Sequence, residues 1–109
     1  MGRMNAEAQN LRKYAEHRNE EAFAALVQKH AAMVFGTAYR RSGDRESAEE
    51  ISQNVFTLLA RKAPRLSRDG SLAGWLHRTT LLQARNFIRQ QQRQKEKMNA
   101  LVQRGGSKW

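Results

Sequence analysis

Ala48-Glu49-Glu50-Ile51-Ser52-Gln53-Asn54-Val55-Phe56-Thr57-Leu58-Leu59 is the stretch that decides the fold class. Ala48, Ile51, Val55, Leu58 and Leu59 recur at steps of three, four, three and one. That is the spacing of a helix with one buried face, whereas a half-buried strand would alternate. Phe56 falls beside this face, at its edge. Glu46, Glu49, Glu50 and Gln53 follow at steps of three, one and three and turn away from it, giving an acidic and amide outer face. Upstream, Asp44 is suited to cap the helix, but Ser47-Ala48-Glu49-Glu50 also has the spacing of a capping box, so two starts stay open. Downstream, Pro64 is expected to end the helix, because the residue before a proline is driven out of helical geometry.

The flanking segments repeat the helical pattern. From Asn19, a plain N-cap followed by Glu20 and Glu21, a stripe of Phe23, Leu26, Val27, His30, Val34 and Ala38 runs at steps of 3, 1, 3, 4 and 4. Arg40 and Arg41 suit the C-terminal end of that helix, and Gly43 is a natural left-handed stop. Before it, Asn5 to Glu16 reads as a short polar helix with Ala8, Leu11 and Tyr14 on one side. Residues 64–71 read as the one real loop. A last long helix starts near Ser71 or Leu72, with Trp75, Leu76, Thr79, Thr80, Gln83, Ala84 and Phe87 as inward candidates. Its apolar pattern fades after Ile88, and the polar run 90–97 is expected to project into solvent. The chain is therefore expected to be all-α: a compact three- to four-helix bundle with a long C-terminal helix. Residues 1–18 form an N-terminal helical extension, 19–98 the helical domain, and 99–109, with Gly105-Gly106-Ser107, a linker or tail.

The 109 residues make one small domain, able to bury roughly 60–70% of its unfolded surface. With no cysteine there is no disulfide framework, thiolate metal site or thiol nucleophile. No apolar run approaches the ~18 residues of a membrane span, and the N-terminus has no signal-like core, so a cytoplasmic protein is expected. The net charge of +10 is placed unevenly. Residues 1–60 hold 8 basic and 8 acidic side chains, whereas 61–109 hold 12 basic and two acidic ones, Asp69 and Glu96. A polyanion partner on one side of the molecule fits that asymmetry, and so does a solvated basic helix.

Catalysis finds little support. His17, His30 and His77 are scattered, and His30 lies on the apolar stripe, where a satisfied core histidine is the ordinary reading. Glu20-Glu21 and Glu49-Glu50 are adjacent on helices and so diverge, which makes neither a carboxylate dyad. No phosphate-binding, dinucleotide or metalloprotease motif occurs. The protein is not expected to be an enzyme, and no cofactor is expected. The basic half carries more. Arg78, Arg85, Arg89 and Arg93 follow at steps of 7, 4 and 4 on one drifting face, and Arg61, Lys62, Arg65 and Arg68 stand before them. Guanidinium groups suit phosphate, because the planar fork donates two parallel hydrogen bonds. Ser67, Ser71, Thr79, Thr80, Gln83, Asn86 and Gln90 lie among them as groups for sugar or base edges, with Trp75 and Phe87 available either to stack on bases or to pack on a neighbouring helix.

From about Phe23 to Arg93 the sequence resembles region two of bacterial sigma factors, especially the extracytoplasmic-function group. The resemblance rests on Phe23-x-x-Leu26, Val34, Ala38, Arg40, the Gly43-Asp44 break, Ala48-Glu49-Glu50-Ile51-x-Gln53-x-Val55-Phe56, Trp75-Leu76-x-Arg78 and Asn86-Phe87-Ile88-Arg89. It implies that the acidic helix docks on the clamp coiled coil of core RNA polymerase, with Glu46, Glu49, Glu50, Gln53 and Phe56 as the contact candidates. It implies that the last helix and the loop before it read the promoter minus-ten element and hold its non-template strand open. Arg61, Lys62, Arg65, Ser67, Arg68, Asp69, Trp75, Arg78, Thr79, Gln83, Arg85, Asn86, Arg89 and Arg93 are the DNA-binding candidates. An antagonist anti-sigma partner is a further implication. Where the family often continues Arg-x-Ile-Ala and then Asn, this sequence has Arg78-Thr79-Thr80-Leu81-Leu82. The helix-turn-helix domain that usually follows lies outside these 109 residues, so an excised domain is expected, with Gly105-Gly106-Ser107 opening the linker. The other readings are a sigma-like regulatory interaction module, a generic basic helical nucleic-acid binder without polymerase contact, and, last, a membrane-surface helix, for which Arg89–Lys97 lacks a wide apolar face.

Overall fold

Each helix of this protein begins at a side chain that accepts a backbone N–H. Asn5 Oδ1 accepts from Ala8 at 2.7 Å, Asn19 Oδ1 from Ala22 at 2.9 Å, Asp44 Oδ2 from Ser47 at 3.0 Å and Ser71 Oγ from Gly74 at 3.1 Å. They open α1 (Ala6–His17), α2 (Glu20–Ser42), α3 (Arg45–Leu66) and α4 (Leu72–Gly106) in a computed structural model that describes residues 5–66 and 71–106. No strand occurs among the described residues. Of the two starts open for α3, Asp44 is the cap. Ser47 is already inside the helix and adds a hydroxyl hydrogen bond of 2.7 Å to the same carboxylate oxygen. The Ser47 side chain, then its backbone N–H, hold the Asp44 carboxyl below its ordinary range, against a smaller upward push from burial.

Two left-handed residues turn the chain between the first three helices. Gly43 at φ 71° ends α2, with its N–H on the Tyr39 carbonyl at 2.7 Å. Arg18 at φ 52° does the same for α1, donating to the Tyr14 carbonyl at 2.9 Å. Pro64 does not end α3, contrary to the sequence expectation, and lies inside a helix that runs on to Leu66. Two features hold that last turn. Ala63, the residue a proline should displace, is fully buried. The Ala60 carbonyl, which an N–H at position 64 would have served, accepts instead from Arg18 Nη1 at 2.9 Å.

The core gathers Leu11 from α1, Leu26, Val34 and Ala38 from α2, Ala48, Ile51, Val55, Leu59 and Ala63 from α3, and Leu72, Leu76 and Ala84 from α4. Thr80 is also fully buried, and its hydroxyl donates to the Leu76 carbonyl at 2.6 Å. It therefore packs and cannot reach a sugar or base. α2, α3 and α4 pack on one another, while α1 meets α2 and α3 but not α4 among the described residues. α1 is fastened by Leu11, by the Tyr14 and Phe23 rings at 4.6 Å between centroids, and by Glu7, whose carboxylate holds Lys29 and the buried His30, the latter at 3.0 Å. Burial alone would raise the Glu7 pKa, but the hydrogen bonds from Lys29 and His30 and their charges bring it below the ordinary range.

α4 has 35 residues and so spans about 52 Å at 1.5 Å per residue. Only its first part packs. Every residue from Arg89 to Arg104 is exposed, and the helix continues through 99–106, where the sequence reads as a tail. This overhang accounts for the 72 Å long axis of a molecule 25 × 21 Å in section.

Candidate functional site

The acidic face of α3 is where the periodicity placed it. Glu46, Glu49, Glu50 and Gln53 are exposed, and Phe56 is half-buried against the core at the edge of the helix. Their charges are only lightly engaged: Arg45 Nε meets Glu49 Oε1 at 3.2 Å with both side chains largely in water, where such a pair contributes little. Glu46 and Glu50 also form, with Asp44 and Ser47, one wall of a groove of about 310 Å³ whose other wall is Phe87, Gln90, Gln91 and Gln94 of α4. The sequence reading did not foresee that groove. Its only signal was the amide run 90–94, and nothing in the run says what it would face.

On α4, Leu72, Leu76, Thr80 and Ala84 are buried. At about 100° per residue Arg78, Arg85, Arg89 and Arg93 fall on the opposite side, and all four are exposed. None of the four forms an ion pair among the described residues. Trp75, Thr79, Leu82 and Asn86, at steps of 4, 3 and 4, form a second strip beside them. Asn86 is exposed, Thr79 and Trp75 are half-buried, and Trp75 rests one side on the core. Leu82 stands 54% exposed in the middle of the strip, a position for which the apolar pattern gave no role. Gln83 is half-buried on the inner edge, and Phe87 packs on the core beneath the groove.

Arg61, Lys62 and Arg65 are exposed at the end of α3 and, with Pro64, line a shallow cleft of about 420 Å³. Ser67, Arg68 and Asp69 lie outside the described residues. The cationic end of α3 and Arg78 thus flank the short 67–71 connection, while the rest of the arginine row runs on along α4 toward the carboxylate end of α3, where Gln90 and Gln94 share the groove with Glu46 and Glu50. Among the described residues no cluster of His, Asp or Glu could hold a metal ion. No helix is long and apolar enough to cross a membrane. Farther along the overhang, Met98, Leu101 and Val102 are 60%, 61% and 62% exposed.

Three comparisons bear on this arrangement. The family model described as Sigma-70 region 2 matches residues 26–94, from the first buried leucine of α2 to the start of the α4 overhang. Over 55 residues, half of this chain, the sequence is 40% identical to a protein described as ECF RNA polymerase sigma factor SigE from Mycolicibacterium smegmatis. The aligned part covers 21% of that protein, so the chain matches about a fifth of its relative's length. No solved structure matches the chain significantly.

Proposed function

The chain belongs to the Sigma-70 region 2 family, and from that premise we propose that it binds core RNA polymerase through α3 and promoter DNA through α4 and the end of α3. The observation that carries this reading is the pairing of two outward faces of opposite sign on neighbouring helices of one core. A ridge of Glu46, Glu49, Glu50 and Gln53 offers carboxylates and an amide to a basic protein surface, with Phe56 as an apolar anchor beside them. A row of Arg78, Arg85, Arg89 and Arg93 offers guanidinium forks to phosphates, with no ion partner among the described residues to displace first. The strip of Trp75, Thr79 and Asn86 beside that row supplies a ring edge and polar groups for base edges, and Arg61, Lys62 and Arg65 extend the cationic track around the connection.

Such a domain opens DNA without catalysis. Unstacking a base costs a few kcal/mol, and capture of the freed base by polar and aromatic groups offsets it. The arginine row supplies affinity that is blind to sequence and falls with salt, while the strip reads. The partners are core polymerase, at its clamp coiled coil, and the non-template strand of the minus-ten element, in the cytoplasm. An anti-sigma protein covering either face would silence the domain.

The test separates the faces. Glu50→Arg with Gln53→Ala is expected to abolish capture by core polymerase in a pull-down while leaving binding to random single-stranded DNA unchanged. Capture at the original level would mean that the ridge is only a solvated helix face, and the generic nucleic-acid binder would replace this reading.

A further inference from the structure

Arg18 caps the C-terminus of α1, outside the 26–94 stretch matched by the family, and is not among the candidate binding residues. Its backbone is in an awkward place for an arginine. It is the only residue other than glycine with a positive φ among the described residues, at the αL turn that ends α1, where glycine or asparagine would sit more easily. Its side chain explains the choice. Nη1 donates to the Ala60 carbonyl of α3 at 2.9 Å and to the Tyr14 hydroxyl at 3.0 Å, and the guanidinium carbon lies 5.0 Å from the centroid of the Tyr14 ring. Tyr14 is itself fixed against Phe23 of α2.

The Ala60 carbonyl is the acceptor that an N–H at position 64 would serve, and proline has none. We propose that Arg18 is a positioning residue for the basic end of α3. Its guanidinium replaces the missing Pro64 donor, keeps the turn from Ala60 to Leu66 helical, and so presents Arg61, Lys62 and Arg65 together to a nucleic-acid backbone. This inference rests on the reading of that end as a nucleic-acid contact. A fourth cation beside three others is tolerated because its charge meets the open carbonyls and negative dipole at the C-terminus of α3. Arg18 touches no phosphate in this role; it acts through the carbonyl it holds.

The experiment compares Arg18→Gln, Arg18→Gln with Pro64→Ala, and Arg65→Ala in the full chain, with a labelled random single-stranded DNA as probe. Arg18→Gln is expected to weaken binding about three- to tenfold, the net scale of one ordinary solvent-exposed hydrogen bond. The slope of log affinity against log salt should stay unchanged, because the same three cations meet phosphate once the turn re-forms and only the population of that state falls. Pro64→Ala restores a backbone donor for Ala60 and is expected to recover most of that loss. The same loss in both backgrounds, or a slope smaller by about one unit, would make Arg18 a direct contact and overturn the positioning role. Arg65→Ala without effect on binding would instead sink the nucleic-acid reading beneath it, whereas a loss for Arg65→Ala alone, with Arg18→Gln neutral, sinks only this inference. Amide exchange at 61–66 gives a readout independent of DNA: it should quicken in Arg18→Gln and slow again when Pro64→Ala is added, and an unchanged rate in Arg18→Gln rejects the proposal.

Discussion

The outer faces of α3 and α4 rest on the same core, yet they differ in how much of their charge the fold itself accounts for. The carboxylates of α3 sit in its first two turns, where negative charge answers the exposed N–H groups and positive end of the helix. Arg61, Lys62 and Arg65 sit in its last turns, where positive charge is equally at home. Both clusters would suit α3 even in a protein that bound nothing. Arg85 and Arg89 lie far inside α4, away from either dipole end, Arg78 stands in its second turn near the positive end, and none of the three has an ion partner among the described residues. Local helix physics gives no reason for them, so they are the stronger mark of an external partner, and the acidic ridge is the weaker one.

That contrast can be broken or sharpened in order of effect. The largest change removes what the faces share. Leu76 is fully buried where α4 meets the core, and Leu76→Ala is expected to cost about 2–5 kcal/mol in denaturant unfolding, with both binding activities lost together. Survival of either face at full strength would show that it does not depend on the shared core.

A smaller and more selective effect is expected from the arginines. Arg85→Ala and Arg89→Ala should each weaken DNA binding for all sequences alike and flatten the salt slope by about one unit, with unfolding stability within about 0.5 kcal/mol of the parent. Glu46→Gln and Glu49→Gln, by the same contrast, should each lower stability by a few tenths to about 1 kcal/mol through the dipole of α3. If instead the arginine variants lose stability and the glutamate variants do not, the contrast is reversed.

The smallest effect is a pH dependence confined to α1. The Glu7 pKa is lowered in the fold by Lys29 and His30 despite burial. Its contribution is therefore complete above the unfolded value of about 4.3 and lost as pH falls through the lower folded value. Acid titration to below pH 4 should release α1, seen as loss of the Tyr14–Phe23 contact, with a Glu7→Gln variant showing no such step.

How much of this was legible in the sequence depends on how far the deciding partner lay along the chain. Asn19, Gly43, the α2 stripe and the acidic face of α3 are set by neighbours within one or two turns, and periodicity and cap chemistry found them all. His30 read as a satisfied core histidine, but Glu7, its partner 23 residues earlier, did not announce itself. Pro64 runs against its local rule because the donor that serves the Ala60 carbonyl in its place comes from Arg18, 42 residues before Ala60. Thr80 looked like a polar contact group until its hydroxyl turned back on the Leu76 carbonyl. The groove between Glu50 and Gln90 needed the antiparallel register of α3 and α4, which no single helix encodes.

The unbroken course of α4 has a mechanical consequence. No proline or left-handed residue interrupts it between Leu72 and its far end, so the helix has no joint at which a bend could be absorbed. A twist or push on the overhang near Leu101 travels as through a lever arm, with the bundle as fulcrum, to the tryptophan-and-asparagine strip at the other end. Whatever grips that free arm also aims the strip proposed to read bases.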